Sequence, residues 1–227
     1  MNTTSNALKE YKKQRDIELI TKLYRRNKKI SKQEIIMNFN KTLNKYNYGI
    51  IVDGKIMTGD NIDFDKYKTI SPEDFQKYKT GTCWDYTEYE SYYFANELEM
   101  QLTKYKLKED NSYSMYYMQH IDRDGDMPTH TWIGYKLNSK IYSFESSWQS
   151  MQGILEHKTE KDMLEYYLKA QEDYYNFKND MLSNYVILKY SSMPKYNLTP
   201  EEFMNMVLDR GVVILSTIKS FKPEIKI

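Results

Sequence analysis

Apolar and polar residues alternate on both sides of the short segment Leu137-Asn138-Ser139-Lys140. An alternation of period two is typical of β-strands, because successive side chains point to opposite faces of a sheet. If Asn138-Ser139 forms the tip of a two-residue turn, the paired positions are 136 with 141, 135 with 142, 133 with 144 and 132 with 145. Four apolar or aromatic residues then share one face: Ile133, Tyr135, Tyr142 and Phe144. The sequence therefore predicts a hairpin of an antiparallel sheet with this face buried.

The same register places a histidine and a carboxylate together on the opposite face of the hairpin. That face carries His130 and Trp132 on the first strand and Glu145 on the second. Glu145 lies opposite Trp132 and diagonal to His130, about 7–8 Å away between backbones, which two polar side chains can bridge. A three-residue turn would instead place His130 and Glu145 on opposite faces of the hairpin. The alternation alone thus predicts a His130–Glu145 pair.

The chain has one cysteine, Cys83, in the segment Gly81-Thr82-Cys83-Trp84-Asp85. Helical spacing of apolar residues follows it, so Cys83 is predicted at a helix N-terminus, where free N–H groups and the helix dipole favour a thiolate. A lone cysteine is more often a buried structural residue. A thiol, an imidazole and a carboxylate are, however, the parts of a nucleophilic acyl-transfer site. We therefore take Cys83, His130 and Glu145 as candidate catalytic residues.

Two other histidines compete for the role of the imidazole. His120 ends a predicted strand, and His157 lies at the start of a predicted Lys/Glu-rich helix. No carboxylate is placed on the face of either residue by a comparable argument. We interpret both histidines as structural or solvated.

The order of the predicted elements indicates an α+β fold. Helices are predicted at 8–23, 31–43, 71–80, 83–107, 160–182 and 199–208, and strands at 48–52, 55–57, 112–119, 129–137, 140–144, 185–190 and 212–216. In this fold a cysteine-bearing helix packs on an antiparallel sheet. Residues 1–45 are predicted to form a basic helical extension, and residues 46–227 the catalytic domain.

The net charge of +1 conceals a basic N-terminal region. Residues 1–45 hold twelve Lys or Arg against four Asp or Glu, which gives +8, and the densest stretch runs from Lys22 to Lys32. Such a segment can bind nucleic acid, but it is more often the solvated face of a helix. It lacks interleaved aromatic residues and a reading motif, so we rank nucleic-acid binding last among the functions considered.

Other features of the sequence argue against cofactors and membranes. No Cys/His cluster has zinc-site spacing, and the acidic run Asp122–Asp126 fails as a calcium loop because its twelfth position would be Ile133. We predict no metal and no cofactor. No apolar run approaches the length of a membrane span, and the N-terminus lacks the pattern of a secretion signal. These features predict a soluble cytoplasmic protein.

Three short motifs together resemble a known superfamily. They are Gly81-x-Cys83-x-Asp85 opening a helix, Thr129-His130-Thr131-Trp132 on a strand, and Tyr142-Ser143-Phe144-Glu145-Ser146 after a hairpin. In order and spacing they resemble the transglutaminase-like superfamily, which has the papain-like cysteine-hydrolase fold. The resemblance covers roughly residues 70–150. One departure is Glu145, because the family usually has aspartate there, and the added methylene moves the carboxylate by about 1.5 Å.

The resemblance implies acyl transfer on amide bonds of a protein or peptide substrate through a thioester intermediate. Cys83 is the nucleophile, His130 the base, and Glu145 the residue that orients it. A protease or amidase resolves the thioester with water, and a transglutaminase resolves it with an amine.

The resemblance also implies residues around the nucleophile. The backbone N–H of Cys83 would stabilise the oxyanion, with Gln76 as the candidate second donor and Tyr48 as a weaker one. Trp84 and Trp132 would form the walls of the cleft. The alternative is a degenerate, inactive member that serves as a binding or assembly module, an interpretation favoured by Glu145 and by the lack of a clear oxyanion side chain.

Overall fold

The computed structural model describes residues 30–107, 110–120, 128–175 and 185–217. In chain order, the helices and strands of these residues are α1 (Lys32–Leu43), β1 (Asn47–Tyr48), β2 (Ile50–Val52), β3 (Lys55–Met57), α2 (Pro72–Tyr78), β4 (Thr80–Gly81), α3 (Cys83–Tyr92), α4 (Glu99–Lys104), β5 (Tyr113–His120), β6 (Thr129–Leu137), β7 (Lys140–Glu145), β8 (Gly153–His157), α5 (Glu160–Tyr175), β9 (Tyr185–Tyr190), α6 (Pro200–Arg210) and β10 (Val212–Ser216). A π-helical turn, Tyr93–Leu98, joins α3 to α4. The predicted helix at 8–23, most of the Lys22–Lys32 segment and the Asp122–Asp126 run lie outside the described residues.

A six-stranded sheet forms the centre of the fold, with strand order β10-β9-β5-β6-β7-β8 and antiparallel pairing throughout. The predicted register of β6 and β7 is confirmed, since Ile133 pairs with Phe144 and Tyr135 with Tyr142. At the turn, Asn138 and Ser139 have φ angles of 51° and 65°. Positive values at both positions are typical of the tight turn that joins two twisted strands.

Helices cover both faces of the sheet. One face presents Ile133 and Phe144 to a core that includes residues of α1, α3 and α6. On the other face, Trp132 and Met118 pack with residues of α5. The expectation of a mixed helix-and-sheet fold with an antiparallel sheet is thereby confirmed.

Helix α1, which the sequence assigns to the N-terminal extension, is part of this core. Ile36 and Leu43 are fully buried, and the Phe39 ring stacks on Tyr93 with centroids 3.5 Å apart. Lys32, the last residue of the predicted basic segment, is buried, and its ammonium group donates to the Asp110 carbonyl. Lys32 is therefore not available to a basic surface.

Within the described residues, every helix is too short or too polar to cross a lipid bilayer.

Candidate active site

A fixed turn presents Cys83 at the first position of α3. Gly81 precedes it in β4, and an added Cβ there would lie 2.7 Å from the Cβ of Asp85 and 2.8 Å from the Phe75 ring, so the close approach of these segments requires glycine. The carboxylate of Asp85 accepts hydrogen bonds from the N–H groups of Thr82 and Ile70, each 2.9 Å long. Asp85 thus holds the first turn of α3 against the chain that precedes α2.

His130 and Glu145 form the pair that the hairpin register predicts. Nε2 of His130 and Oε2 of Glu145 lie 2.7 Å apart, and both side chains are buried. The other oxygen of Glu145, Oε1, accepts from the N–H and hydroxyl of Ser147 at 2.8 and 2.9 Å and from the N–H of Trp148 at 2.8 Å. Both oxygens of the carboxylate are therefore fixed.

The pair is charged at neutral pH. Burial by itself lowers the pKa of His130, but the charge of Glu145 and hydrogen bonds with Cys83 and Glu145 raise that pKa to about 10. Burial acts to raise the pKa of Glu145, but the charge of His130 and the hydrogen bonds to the carboxylate outweigh it and lower the pKa. Because Nε2 of His130 is bound to Glu145, Nδ1 is the nitrogen left to face the Cys83 thiol. The His130 imidazole thus lies between the Cys83 thiol and the Glu145 carboxylate.

A cavity of about 380 Å³ opens at the thiol and the imidazole. Cys83 and His130 share its lining with aromatic residues, hydroxyls and amides, among them Tyr48, Trp148, Gln149 and Tyr174. His130 is the one charged residue of the described lining. The arrangement can therefore place an uncharged polar group beside the sulfur.

The walls of this cavity differ from the prediction. Trp84 is buried, stacks on Phe203 with centroids 4.2 Å apart, and donates its indole N–H to Thr129. Trp132 is buried as well and stacks on Tyr167 at 4.0 Å. Neither lines the cavity, because each is held in the core by its ring partner.

Trp148, which sequence reasoning missed, supplies the aromatic wall. Its ring meets that of His130 edge to face, with centroids 4.9 Å apart, and that of Tyr174 at 5.3 Å. The sequence could have indicated Trp148 by its position three residues after Glu145. When the chain turns at the end of a strand, the next few residues stay close to that end.

The two candidates for a second oxyanion donor lie in different places. Gln76 is exposed on α2 and is not part of the described cavity lining. Tyr48 does line the cavity, because β1 runs parallel to β4 and pairs Tyr48 with Gly81. By location, Tyr48 is the candidate that reaches the nucleophile.

His120 and His157 are not part of the described cavity lining. The Nε2 atom of His157 is 2.9 Å from the Ser143 hydroxyl, and His157 belongs to β8, not to a helix start. The ring of His120 packs beside Tyr185. Their positions agree with a structural interpretation.

Two buried acids on α3 are a further feature that the sequence did not indicate. Glu88 accepts from the N–H of Met193 at 3.1 Å, and burial raises its pKa to about 8. Burial also raises the pKa of Glu90 well above its usual range. Both positions alternate with aromatic residues of α3, so the helix shows no clear polar face.

Comparisons with known protein families, curated proteins and solved structures give no match for this chain.

Proposed function

We propose that this protein is a cysteine-nucleophile enzyme that transfers acyl groups from amide bonds, built on a transglutaminase-like core of the papain-like fold. The observation that carries the proposal is that Cys83 and His130 line one cavity, while Glu145 is bound to His130 at 2.7 Å. A nucleophile, a base and a residue that orients the base within hydrogen-bond reach are the requirements of such a site.

The first step forms a carbon–sulfur bond. A protonated His130 donates from Nδ1 to the sulfur and so stabilises the thiolate of Cys83, while Glu145 stabilises the ring's positive charge. The thiolate attacks the amide carbon, and the π-electron pair moves to the carbonyl oxygen. The backbone N–H of Cys83 and the hydroxyl of Tyr48 are our candidate donors to that oxyanion, and each donor of this kind contributes about 3–4 kcal/mol in well-studied cases.

The second step breaks the carbon–nitrogen bond. The oxyanion re-forms the carbonyl, His130 gives its Nδ1 proton to the leaving amine, and a thioester on Cys83 remains. The neutral ring then takes a proton from the incoming nucleophile, which attacks the thioester and releases the thiolate. Water as the nucleophile gives hydrolysis, and an amine gives transamidation. The substrate class we propose is a protein or peptide amide, which suits a described lining that is uncharged apart from the catalytic groups.

The rate of Cys83 alkylation by iodoacetamide tests the site without a known substrate. At about pH 6 an ordinary thiol is almost wholly protonated and reacts slowly. We expect Cys83 to react far faster than a free thiol at that pH, and His130→Ala to abolish the advantage. The matched control is His157→Ala, which removes another buried imidazole and should leave the rate unchanged.

Slow alkylation that is unaffected by His130→Ala would contradict the proposal. That result would favour the alternative of an inactive binding or assembly module, in which the three groups are structural.

A further inference from the structure

Thr131 is a buried residue of β6 that contacts the backbone of the nucleophile directly. Its hydroxyl donates to the carbonyl oxygen of Cys83 at 2.8 Å and accepts from the Thr87 hydroxyl at 3.0 Å. Thr87 follows Cys83 by four residues, which places it about one turn further along the same face of α3. The first turn of α3 is therefore bound at both of its ends to one side chain of β6.

The hydroxyls of this contact are not required for packing. Thr131 and Thr87 are each 1% exposed, and Ile133, the next residue of β6 on the same face, is fully buried in the core. Valine is branched at Cβ as threonine is, so it would fill the same space without a polar group. A buried hydroxyl destabilises a core unless it is hydrogen-bonded. The two hydroxyls therefore supply a fixed position for α3, which burial alone does not.

The bonds between α3 and β6 lie on either side of the proposed base in the sequence. Thr131 follows His130 and holds the carbonyl of Cys83, while Thr129 precedes His130 and accepts from the indole N–H of Trp84 at 3.2 Å. His130 itself lines the cavity together with Cys83. The two neighbours of the base thus hold the two residues that begin the nucleophile's helix.

We propose that Thr131 is a positioning residue of the proposed active site, which fixes Cys83 against the strand that carries His130. The inference rests on the proposed function. Thr131 binds the carbonyl of Cys83, and its covalent neighbour His130 shares the cavity with the thiol of the same residue. The separation of sulfur and imidazole therefore depends on only a few rotatable bonds. Reacting groups are sensitive to displacements of about 1 Å, so a loosened first turn of α3 weakens the thiol–imidazole contact.

The pH profile of Cys83 alkylation by iodoacetamide tests this role. Thr131→Val keeps the shape of the side chain but removes its bonds to Cys83 and Thr87. We expect the profile to move toward that of a free thiol by about one pH unit, which is about a tenfold lower rate near pH 6. Thr131→Ser keeps the hydroxyl and should retain the wild-type profile.

The matched control is Ser91→Ala, which removes another buried hydroxyl that binds α3 to the sheet. Ser91 is 1% exposed, lies about two turns beyond Cys83, and its hydroxyl is 3.1 Å from that of Tyr113 on β5. Ser91→Ala should lower stability in urea unfolding, as Thr131→Val does, and leave the alkylation profile in place. An equal shift of the profile in both variants would overturn the inference, because general loosening of α3 would then explain it.

A second variant keeps the test decisive if Thr131→Val does not fold. Thr87→Val removes the hydroxyl that donates to Thr131, so the Thr131 hydroxyl is less firmly directed at the Cys83 carbonyl. We expect a shift in the same direction of about half a pH unit, which is about a threefold lower rate near pH 6. A wild-type profile in each of these two valine variants that folds would also overturn the inference.

The two proposals fail in different ways. If wild-type Cys83 reacts slowly and His130→Ala changes nothing, both are overturned. If wild-type Cys83 reacts fast, depends on His130 and is insensitive to Thr131→Val and Thr87→Val, the positioning role alone is wrong.

Discussion

At the scale of single residues, the length of Glu145 matches two demands at once. Its Oε2 atom lies 2.7 Å from His130, while its Oε1 atom receives the N–H groups of Ser147 and Trp148. The chain turns immediately after Glu145, so the carboxylate reaches both the neighbouring strand and its own turn. An aspartate is shorter by about 1.5 Å and would lose one of these sets of contacts. In this chain, glutamate is the residue that fits the turn.

We therefore expect Glu145→Asp and Glu145→Gln each to slow Cys83 alkylation near pH 6 by at least about tenfold, the effect of one unit in an ionisation equilibrium. Aspartate falls short of His130 or of the turn, and glutamine lacks the charge that keeps the ring protonated. Glu156→Gln, which removes an exposed carboxylate bound to Lys140, is the control and should have no effect. Wild-type alkylation in Glu145→Asp would contradict our account of the side-chain length.

The same pair makes stability depend on pH in a defined direction. The pKa of His130 is raised to about 10 in the folded protein and lies near 6.5 in the unfolded chain. The folded state therefore holds the proton more tightly, and the stabilisation is complete below about pH 6.5 and lost as the pH rises toward 10. Urea unfolding of wild type and Glu145→Gln should show a stability difference that shrinks over this range.

At the scale of elements, the start of α3 depends on one buried carboxylate. Asp85 accepts from the N–H groups of Thr82 and Ile70 and from the Tyr67 hydroxyl. Burial raises its pKa to about 6 against these hydrogen bonds, which lower it. The helix N-terminus that presents Cys83 is thus fixed by a residue that lies off the cavity.

Asp85→Ala should leave the N–H groups of Thr82 and Ile70 without their acceptor, and we expect it to cost about 2–4 kcal/mol of unfolding free energy. Cys83 alkylation should slow as well, because the turn before the nucleophile loosens. Glu202→Ala is the matched control, since Glu202 caps α6 in the same way but at an exposed site. It should cost less stability than Asp85→Ala, because the exposed N–H can bind water instead, and it should leave alkylation unchanged. Equal effects of the two variants on alkylation would contradict the specific role of Asp85.

Among the elements, the sequence mainly predicted features that depend on residues close together in the chain. The β6–β7 register follows from alternation and a two-residue turn, and the start of α1 follows from the Ser31–Glu34 capping box. The pairing of β1 with β4 and of β8 with β7 depends on contacts between distant or irregular segments, which no local pattern records.

The side-chain predictions divide in the same way. The His130–Glu145 pair was predictable because the alternation of the strands and the two-residue turn place both side chains on one face. The burial of Trp84 was not, because its partner Phe203 is more than a hundred residues away.

At the scale of the whole molecule, α1 connects the N-terminal part of the described chain to the candidate site. Phe39 stacks on Tyr93 and lies 5.6 Å from the Phe144 ring. Its neighbour Asn40 binds the Glu145 carbonyl and the Ser146 hydroxyl. Helix α1 therefore contacts both the core of the sheet and the turn of the candidate site, although it precedes the motifs by about forty residues.

Variants of α1 should separate these two contributions. Phe39→Ala removes a buried ring from the core, and we expect it to cost about 3–5 kcal/mol in urea unfolding. Met37→Ala, at a position of the same helix that is 41% exposed, should stay within about 0.5 kcal/mol of wild type. Asn40→Ala leaves the core rings in place but frees the turn after β7, so it should cost about 1–3 kcal/mol and slow Cys83 alkylation. If Asn40→Ala destabilises the protein without changing alkylation, α1 supports the core alone, and the connection from the N-terminal helix to the site is wrong.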